Sequence, residues 1–413
     1  MELYFTDIQD FEKLYNDPNT VWNLNRTKCS CGDFCEMKLK NVEVHISDRN
    51  IHLHDCPVMT CDECGHEHLC PDIPQEIYKT YFHMIRNKVT DCKLTMKSDI
   101  RYEFAVEADF KYDSRDMSIP GLGVDLDPTN PPGFSCPVYF DRKVLNNFFT
   151  DDDYELDFFS ESYGTIAKIG TDGWPYEWKI VFGVNRNNKV ILFLGDLHQI
   201  DADDRAIYWL KSYNIESDHV IVGTELYQGQ LNCIFSEPIK EKRIIALRNS
   251  FYTKMKEKYG VELFHLEAEV EEKGNDIQKP INYSEGEIKA NIITLDGVLN
   301  EGIDCEELRK LCAQVVKPNP PKLKDLKTRK LLQYILSVSA GESAAEKLVA
   351  PMFYLNGLRV YFAHLLPQET LDEYRDTIVG AYGLSSFSEY RKLYDTLIDE
   401  LYYLYRYLNV MEI

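Results

Sequence analysis

Seven of the twelve cysteines fall within residues 26–72, and their spacing is typical of a metal site. Cys61-Asp-Glu-Cys64 is followed by Gly65, so two thiolates can grip one ion while the glycine tightens the turn. Cys29-Ser-Cys31-Gly32 supplies a second pair upstream. Four thiolates close the tetrahedral shell of zinc and leave no position for water, which predicts a structural rather than a catalytic site.

Other ligand sets fit this segment as well. The first pair is Cys-x-Cys, so Cys31 with Cys35 is an alternative to Cys29 with Cys31. A further cysteine or a nearby histidine could also replace one thiolate. The candidates are Cys56, Cys70, His45, His52, His54, His66 and His68.

A second candidate site lies in residues 351–366, where Arg359 and His364 form an Arg-x4-His pattern. Histidine titrates near neutral pH and can serve as general acid or base. Arginine can hold a phosphate and the charge that builds on it. The stretch predicts one helix of about four turns that ends at Pro367. On its helical wheel Asn356 lies between Arg359 and His364, which makes it a third candidate catalytic residue.

The two faces of this helix differ. One face is an apolar stripe expected to join the core: Leu355, Leu358, Phe362, Leu365 and Leu366. The other face is small and partly apolar, unlike a solvated helix surface: Met352, Asn356, Arg359, Val360, Ala363 and His364. We therefore expect this second face to be covered by another surface.

Two family resemblances follow from these motifs. The cysteine pairs, with the strand-like alternation at 42–46 between them, resemble the zinc module of MqsA-type (YgiT-type) antitoxins. That resemblance implies a small zinc platform used for protein contacts.

The string Leu-Arg-Val-Tyr-Phe-Ala-His resembles the Arg-x4–6-His motif of HEPN domains, which are helical bundles that include metal-independent endoribonucleases. It implies a composite site formed across a dimer, with RNA as substrate. Val360 departs from the HEPN pattern, because a polar residue often follows the arginine.

The middle of the chain contains a weaker candidate for a catalytic motif. Glu177-Trp-Lys179 enters a predicted strand and could be half of a PD-(D/E)xK nuclease site, with Asp157 or Asp172 as the second carboxylate. The spacing to Asp172 is too short for the usual intervening strand. A sensing or scaffolding role is therefore the better interpretation of this region.

Charge and composition limit the function classes. The net charge of −22 argues against a protein that coats nucleic acid. The basic residues nevertheless cluster at 317–330, in the same third of the chain as Arg359. We expect no membrane span, because no run of about eighteen apolar residues occurs. The N-terminus lacks an export signature, so a cytoplasmic protein with reduced cysteines is expected.

The elements that must position these residues fall into three predicted parts. They are residues 1–98 with the zinc module at about 26–72, an α+β middle domain at 99–279, and an all-α bundle at 280–413. In the middle part we expect a strand at 101–112, helices at 142–149, 203–213 and 241–259, and a hairpin of strands 178–184 and 189–194. A helix at 74–87 precedes it. Residues 260–286 are a predicted linker, followed by helices to 408.

The fold class expected is thus α+β and multidomain. The function predicted from the resemblances is a HEPN-type endoribonuclease effector of a bacterial toxin or antiviral defence system. A homodimer through the C-terminal bundle and control by the other domains or a protein regulator are expected with it. The alternative is a non-catalytic zinc-containing regulator or adaptor of such a system.

Overall fold

The computed structural model describes residues 1–17, 27–105, 109–123, 132–171 and 173–413. Contacts between residues divide the chain into two compact units, Met1–Ser236 and Glu237–Ile413. The fold is mixed α and β, with a cysteine cluster near the N-terminus and helices at the C-terminus. Within these described ranges, no helix combines the length and the apolar character that crossing a membrane requires.

The first sheet of the N-terminal unit is built around a long hairpin. Its strands are β1 (Glu2–Phe5), β2 (Cys35–Ile46), β3 (Arg49–Cys61), β4 (Glu67–Leu69) and β5 (Asp91–Thr95). Strands β2 and β3 pair antiparallel from Cys35 opposite Cys61 to Ile46 opposite Arg49. The predicted strand at 42–46 is therefore confirmed as part of a longer one. Helices α1 (Ile8–Asn16) and α2 (Ile73–Asn87) complete this part of the unit, and α2 agrees with the predicted helix at 74–87.

A second, six-stranded sheet has the order β11-β6-β10-β9-β8-β7. Its strands are β6 (Pro137–Asp141), β7 (Tyr154–Phe158), β8 (Tyr163–Ile169), β9 (Tyr176–Val184), β10 (Lys189–Phe193) and β11 (Asn214–Ile215). Its helices are α3 (Val144–Thr150), α4 (Leu194–Gln199), α5 (Asp204–Tyr213) and α6 (Glu225–Gln230). The hairpin predicted at 178–184 and 189–194 is confirmed by the antiparallel pairing of β9 with β10.

The strand predicted at 101–112 is wrong for the residues that the structure describes there. Residues Glu103–Ala105 form a 3-10 turn, and 106–108 lie outside the described residues. Alternating apolar side chains are also compatible with an irregular segment that buries one of them, and Phe110 is buried here. Alternation alone therefore did not decide the backbone conformation.

The β2–β3 hairpin and the second sheet share one hydrophobic core. Val44, Ile51 and Val58 of the hairpin belong to the same buried cluster as Ile191 and Ile221. Glu36 of β2 adds a polar clamp. Its carboxylate accepts hydrogen bonds from the backbone N–H groups of residues 221, 222 and 223 at 3.0, 2.9 and 2.7 Å. The predicted boundary at residue 98 therefore does not coincide with a division of the core.

The C-terminal unit is a bundle of helices around a second core. Its helices are α7 (Lys240–Tyr259), α8 (Glu267–Asn275), α9 (Glu285–Asp296), α10 (Cys305–Val315), α11 (Thr328–Ala340), α12 (Glu342–Ala363), α13 (Gln368–Tyr382) and α14 (Tyr390–Val410). Phe251 and Tyr252 of α7 are buried in the same cluster as Leu355 of α12 and Leu401 of α14. The unit therefore begins at Glu237, upstream of the predicted boundary at 279. The predicted linker at 260–286 contains α8, whose Val270 packs into this core.

Helix α12 ends earlier than the sequence predicts. Its last residue is Ala363, and His364 has an extended backbone, with φ −116° and ψ 146°. Pro367 acts directly only on Leu366, because a proline ring disfavours the helical conformation of the residue immediately before it. Since the helix already ends at Ala363, Leu365 is fully exposed rather than part of the core stripe. Met352, assigned to the opposite face, is buried.

Candidate metal centre and Arg-His site

The four predicted cysteine ligands converge in the structure. One sulfur atom each from Cys29, Cys31, Cys61 and Cys64 lies within 4.8 Å of all the others. Cys29 Sγ is 3.4 Å from Cys64 Sγ, and Cys31 Sγ is 3.5 Å from Cys61 Sγ. The four thiols can therefore bind one metal ion.

Two glycine turns shape this cluster. The N–H of Gly32 donates to the carbonyl of Cys29 at 3.0 Å, and that of Gly65 donates to Cys61 at 2.9 Å. Both glycines have positive φ values, 102° and 73°, which side chains with a Cβ rarely adopt. Each turn is thus closed by the glycine that follows its cysteine pair, over three residues in the first turn and four in the second. The Cys-x-Cys spacing still presents both sulfurs.

Hydrogen bonds among the four thiols favour ionisation of Cys29, whereas they raise the pKa of Cys31 and Cys64. The backbone N–H of Cys31 and the side chain of Cys64 lower the pKa of the Cys29 thiol to about 6. A thiolate is the form that binds a metal ion. Among the described residues, the site draws no ligand from the alternative set of Cys35, Cys56, Cys70 and the histidines. Burial raises the pKa of the Cys35 and Cys56 thiols to about 12, as expected for inert core cysteines.

Arg359 and His364 meet at the C-terminal end of α12. The guanidinium NH1 of Arg359 donates to His364 Nε2 at 3.2 Å. An accepting Nε2 requires a neutral imidazole with its proton on Nδ1, so this contact ends when His364 is protonated. The backbone N–H of His364 donates to the carbonyl of Val360 at 3.2 Å and fixes the turn out of the helix.

Two carboxylates also contact Arg359, and the sequence did not predict them. Its NH2 group donates to Glu301 Oε1 at 3.0 Å, and its Nε lies 3.8 Å from Asp296 Oδ2. Asp296 is 1% exposed, whereas the side chain of Glu301 is 60% exposed. Burial raises the pKa of Asp296, while Asn300, Arg359 and Asn356 act to lower it. Asn356 thus joins the site through Asp296.

A π-helical turn, Gly297–Glu301, places these two acids. The N–H of Gly302 donates to the carbonyl of Gly297 at 2.8 Å, an i→i+5 bond. Arg248, buried in α7, donates to the carbonyl of Gly302 at 2.6 Å and holds the end of the turn. In sequence the only signal is Asp296 and Glu301 flanked by two glycines, which does not predict the wide turn.

The nuclease half-motif of the middle region does not assemble. Glu177 pairs with Lys168 at 2.9 Å, and Lys179 lies over the ring of Tyr176 at 4.5 Å. Asp157 is half-buried in β7 opposite Thr165. Asp172 lies outside the described residues.

Comparisons of the chain with protein-family models, curated proteins and solved structures find no match.

Proposed function

We propose that the chain is an RNA-cleaving effector in which Arg359 and His364 act on the phosphodiester and a HEPN-like bundle carries them. The contact between Arg359 NH1 and His364 Nε2 supports this proposal most directly. It brings a phosphate-binding cation and a titratable base to one exposed helix end. Asn356 contributes a neutral polar group from the same helix.

The reaction proposed is transesterification. The 2′-oxygen attacks phosphorus, the bond from phosphorus to the 5′-oxygen breaks, and a 2′,3′-cyclic phosphate and a 5′-hydroxyl result. A base takes the 2′ proton while an acid gives a proton to the 5′-oxygen. One imidazole cannot do both in a single step. A second copy of the chain would supply the second His364, and the fully exposed Leu365 beside it offers apolar surface for that contact.

We propose that the cysteine cluster holds Zn²⁺, as a structural ion. Four sulfur donors that lie within 4.8 Å of one another suit zinc and leave no ligand position for substrate. Its role is to fix the end of the β2–β3 hairpin. The proposed RNA cleavage by Arg359 and His364 uses no metal ion. Chelators should therefore affect RNA cleavage only by destabilising the fold of the protein.

The alternative is a non-catalytic zinc-containing regulator or adaptor. One specific observation favours it, because Glu301 and Asp296 occupy two edges of the Arg359 guanidinium. A purely structural arginine forms ion pairs of the same kind. A phosphate would have to displace Glu301, whose exposed ion pair is weak.

Cleavage of a 3′- and 5′-labelled unstructured RNA by the full chain tests the two candidates. We expect His364→Ala and Arg359→Ala each to lower the rate by at least about a hundredfold, while circular dichroism shows that both variants keep the fold. An RNA with a 2′-deoxy substitution at the cleaved position is the substrate control and should resist. If both variants cleave the RNA as fast as wild type, or if wild type does not cleave it, the proposal of a non-catalytic regulator replaces the proposal of a nuclease.

A further inference from the structure

A second arginine lies beside the Arg-His site, and its guanidinium is free. Arg329 of α11 is half-buried, yet none of the described residues accepts a hydrogen bond from it or forms an ion pair with it. Burial lowers its pKa, while the Asp296 carboxylate acts in the opposite direction. Asp296 is the same acid that contacts Arg359. Both guanidinium groups therefore interact electrostatically with one buried carboxylate, one with its donors engaged and one with its donors free.

Aromatic rings surround this free cation. The guanidinium carbon of Arg329 lies 5.0 Å from the ring centre of Phe353, and Lys330 Nζ lies 5.6 Å from the same ring. Tyr374 of α13 is close enough to act on the pKa of Arg329. Its ring also packs on α12 at Gly357, where an added Cβ would lie 3.3 Å from it. Both rings are partly exposed.

These groups continue the face of α12 that carries the Arg-His pair. Phe353, Asn356 and Arg359 follow one another at three-residue spacing, so they lie along one side of the helix. Six residues from Phe353 to Arg359 rise about 9 Å. Arg329 lies against the ring of Phe353 on this side of the helix. An RNA strand with one phosphate at Arg359 could therefore place another of its phosphates at Arg329.

We propose that Arg329, Lys330, Phe353 and Tyr374 form a binding position for single-stranded RNA next to the Arg-His site. The inference rests on the proposed function, because it assigns the path of the same substrate. Arg329 and Lys330 bind a backbone phosphate through charge-assisted hydrogen bonds. The exposed parts of the two rings offer faces for an unstacked base. A duplex would keep its bases stacked and could not use them.

Fluorescence anisotropy of a labelled, unstructured RNA with the full chain tests this position. We expect Arg329→Ala to weaken binding about tenfold and to reduce the slope of log K against log salt by about 0.7. Arg329→Lys should keep the salt slope and lose part of the affinity. Phe353→Leu should weaken binding with an unchanged slope. Lys347→Ala removes an exposed cation from the first half of α12 and is the matched control.

Kinetics separate this proposal from the previous one. Arg329→Ala should raise KM and leave kcat unchanged, whereas His364→Ala should abolish cleavage and keep RNA affinity. If wild type binds RNA through Arg329 but does not cleave it, the binding position stands and the nuclease falls. If Arg329→Ala and Lys347→Ala bind RNA equally well, or if wild type binds none at low salt, the binding position is wrong.

Discussion

The cysteine cluster and the Arg-His site were both read from short sequence patterns, yet they differ in what builds them. The cluster is made by two tight turns whose geometry depends on neighbouring residues, and the hairpin register brings the turns together. The Arg-His site depends on acids from a wide turn more than fifty residues upstream. The sequence therefore predicts the geometry of a local turn better than it predicts which distant residues a side chain contacts in a helical bundle.

Removing a cysteine ligand should have the largest effect. Cys61→Ser is expected to abolish metal binding and to lower the unfolding free energy of the N-terminal unit by on the order of 5 kcal/mol. Elemental analysis and thermal melting measure the two changes. Cys233→Ser, in an exposed position outside the cluster, is the control. Equal metal content in both variants would contradict a four-thiolate site.

Glu36 should make the hairpin region sensitive to pH. Burial raises its pKa from 4.5 to about 7, so the folded state binds the proton more tightly than the unfolded state. Its contribution to stability is present below pH 4.5 and is lost as the pH rises towards 7, by about 3 kcal/mol in total. Glu36→Gln should remove this dependence, as seen in urea unfolding across that pH range. Glu76→Gln, at a half-exposed helix position, should retain it. Parallel curves for wild type and Glu36→Gln would refute the assignment.

A smaller effect is expected at the buried acid of the Arg-His site. Asp296→Asn replaces a charged acceptor of Asn300 and Arg359 with an amide, and should lower the unfolding free energy by about 1–3 kcal/mol. Chemical denaturation of the full chain measures this change. Asp325→Asn, on an exposed 3-10 turn, is the comparison and should change little. An unchanged Asp296→Asn variant would mean that this acid does not hold Arg359.

The smallest effect on stability is expected at Glu301. Glu301→Gln removes an exposed ion pair and should cost less than about 1 kcal/mol. It also frees one edge of Arg359, so RNA affinity should rise a few-fold if Arg359 binds phosphate. Glu346→Gln, an exposed acid in α12, controls for the loss of one negative charge. Equal gains from both variants would assign the effect to net charge alone.

The features that could be predicted from the sequence are those that depend on residues near one another in the chain. It predicted the convergence of Cys29, Cys31, Cys61 and Cys64, helix α2 and the β9–β10 hairpin. Each of these features depends on turns or periodicities formed by residues close together in sequence. It placed the end of α12 three residues too late, because Pro367 sets only the last position that a helix could reach, whereas the backbone already leaves the helix at His364. It missed Asp296 and Glu301 because a π turn has no clear pattern in side-chain type. The strand expected at 101–112 failed because alternation does not specify pairing.

The wide turn at Gly297–Glu301 has a consequence for the length of this segment. An ordinary α-helical path would need one residue fewer between Asp296 and Gly302, and each residue turns a helix by about 100°. Deleting one residue there would rotate Glu301 away from Arg359 while leaving every residue type in place. The segment is therefore intolerant of a single-residue change in length. Chain length, and not only composition, determines which side chain faces the arginine.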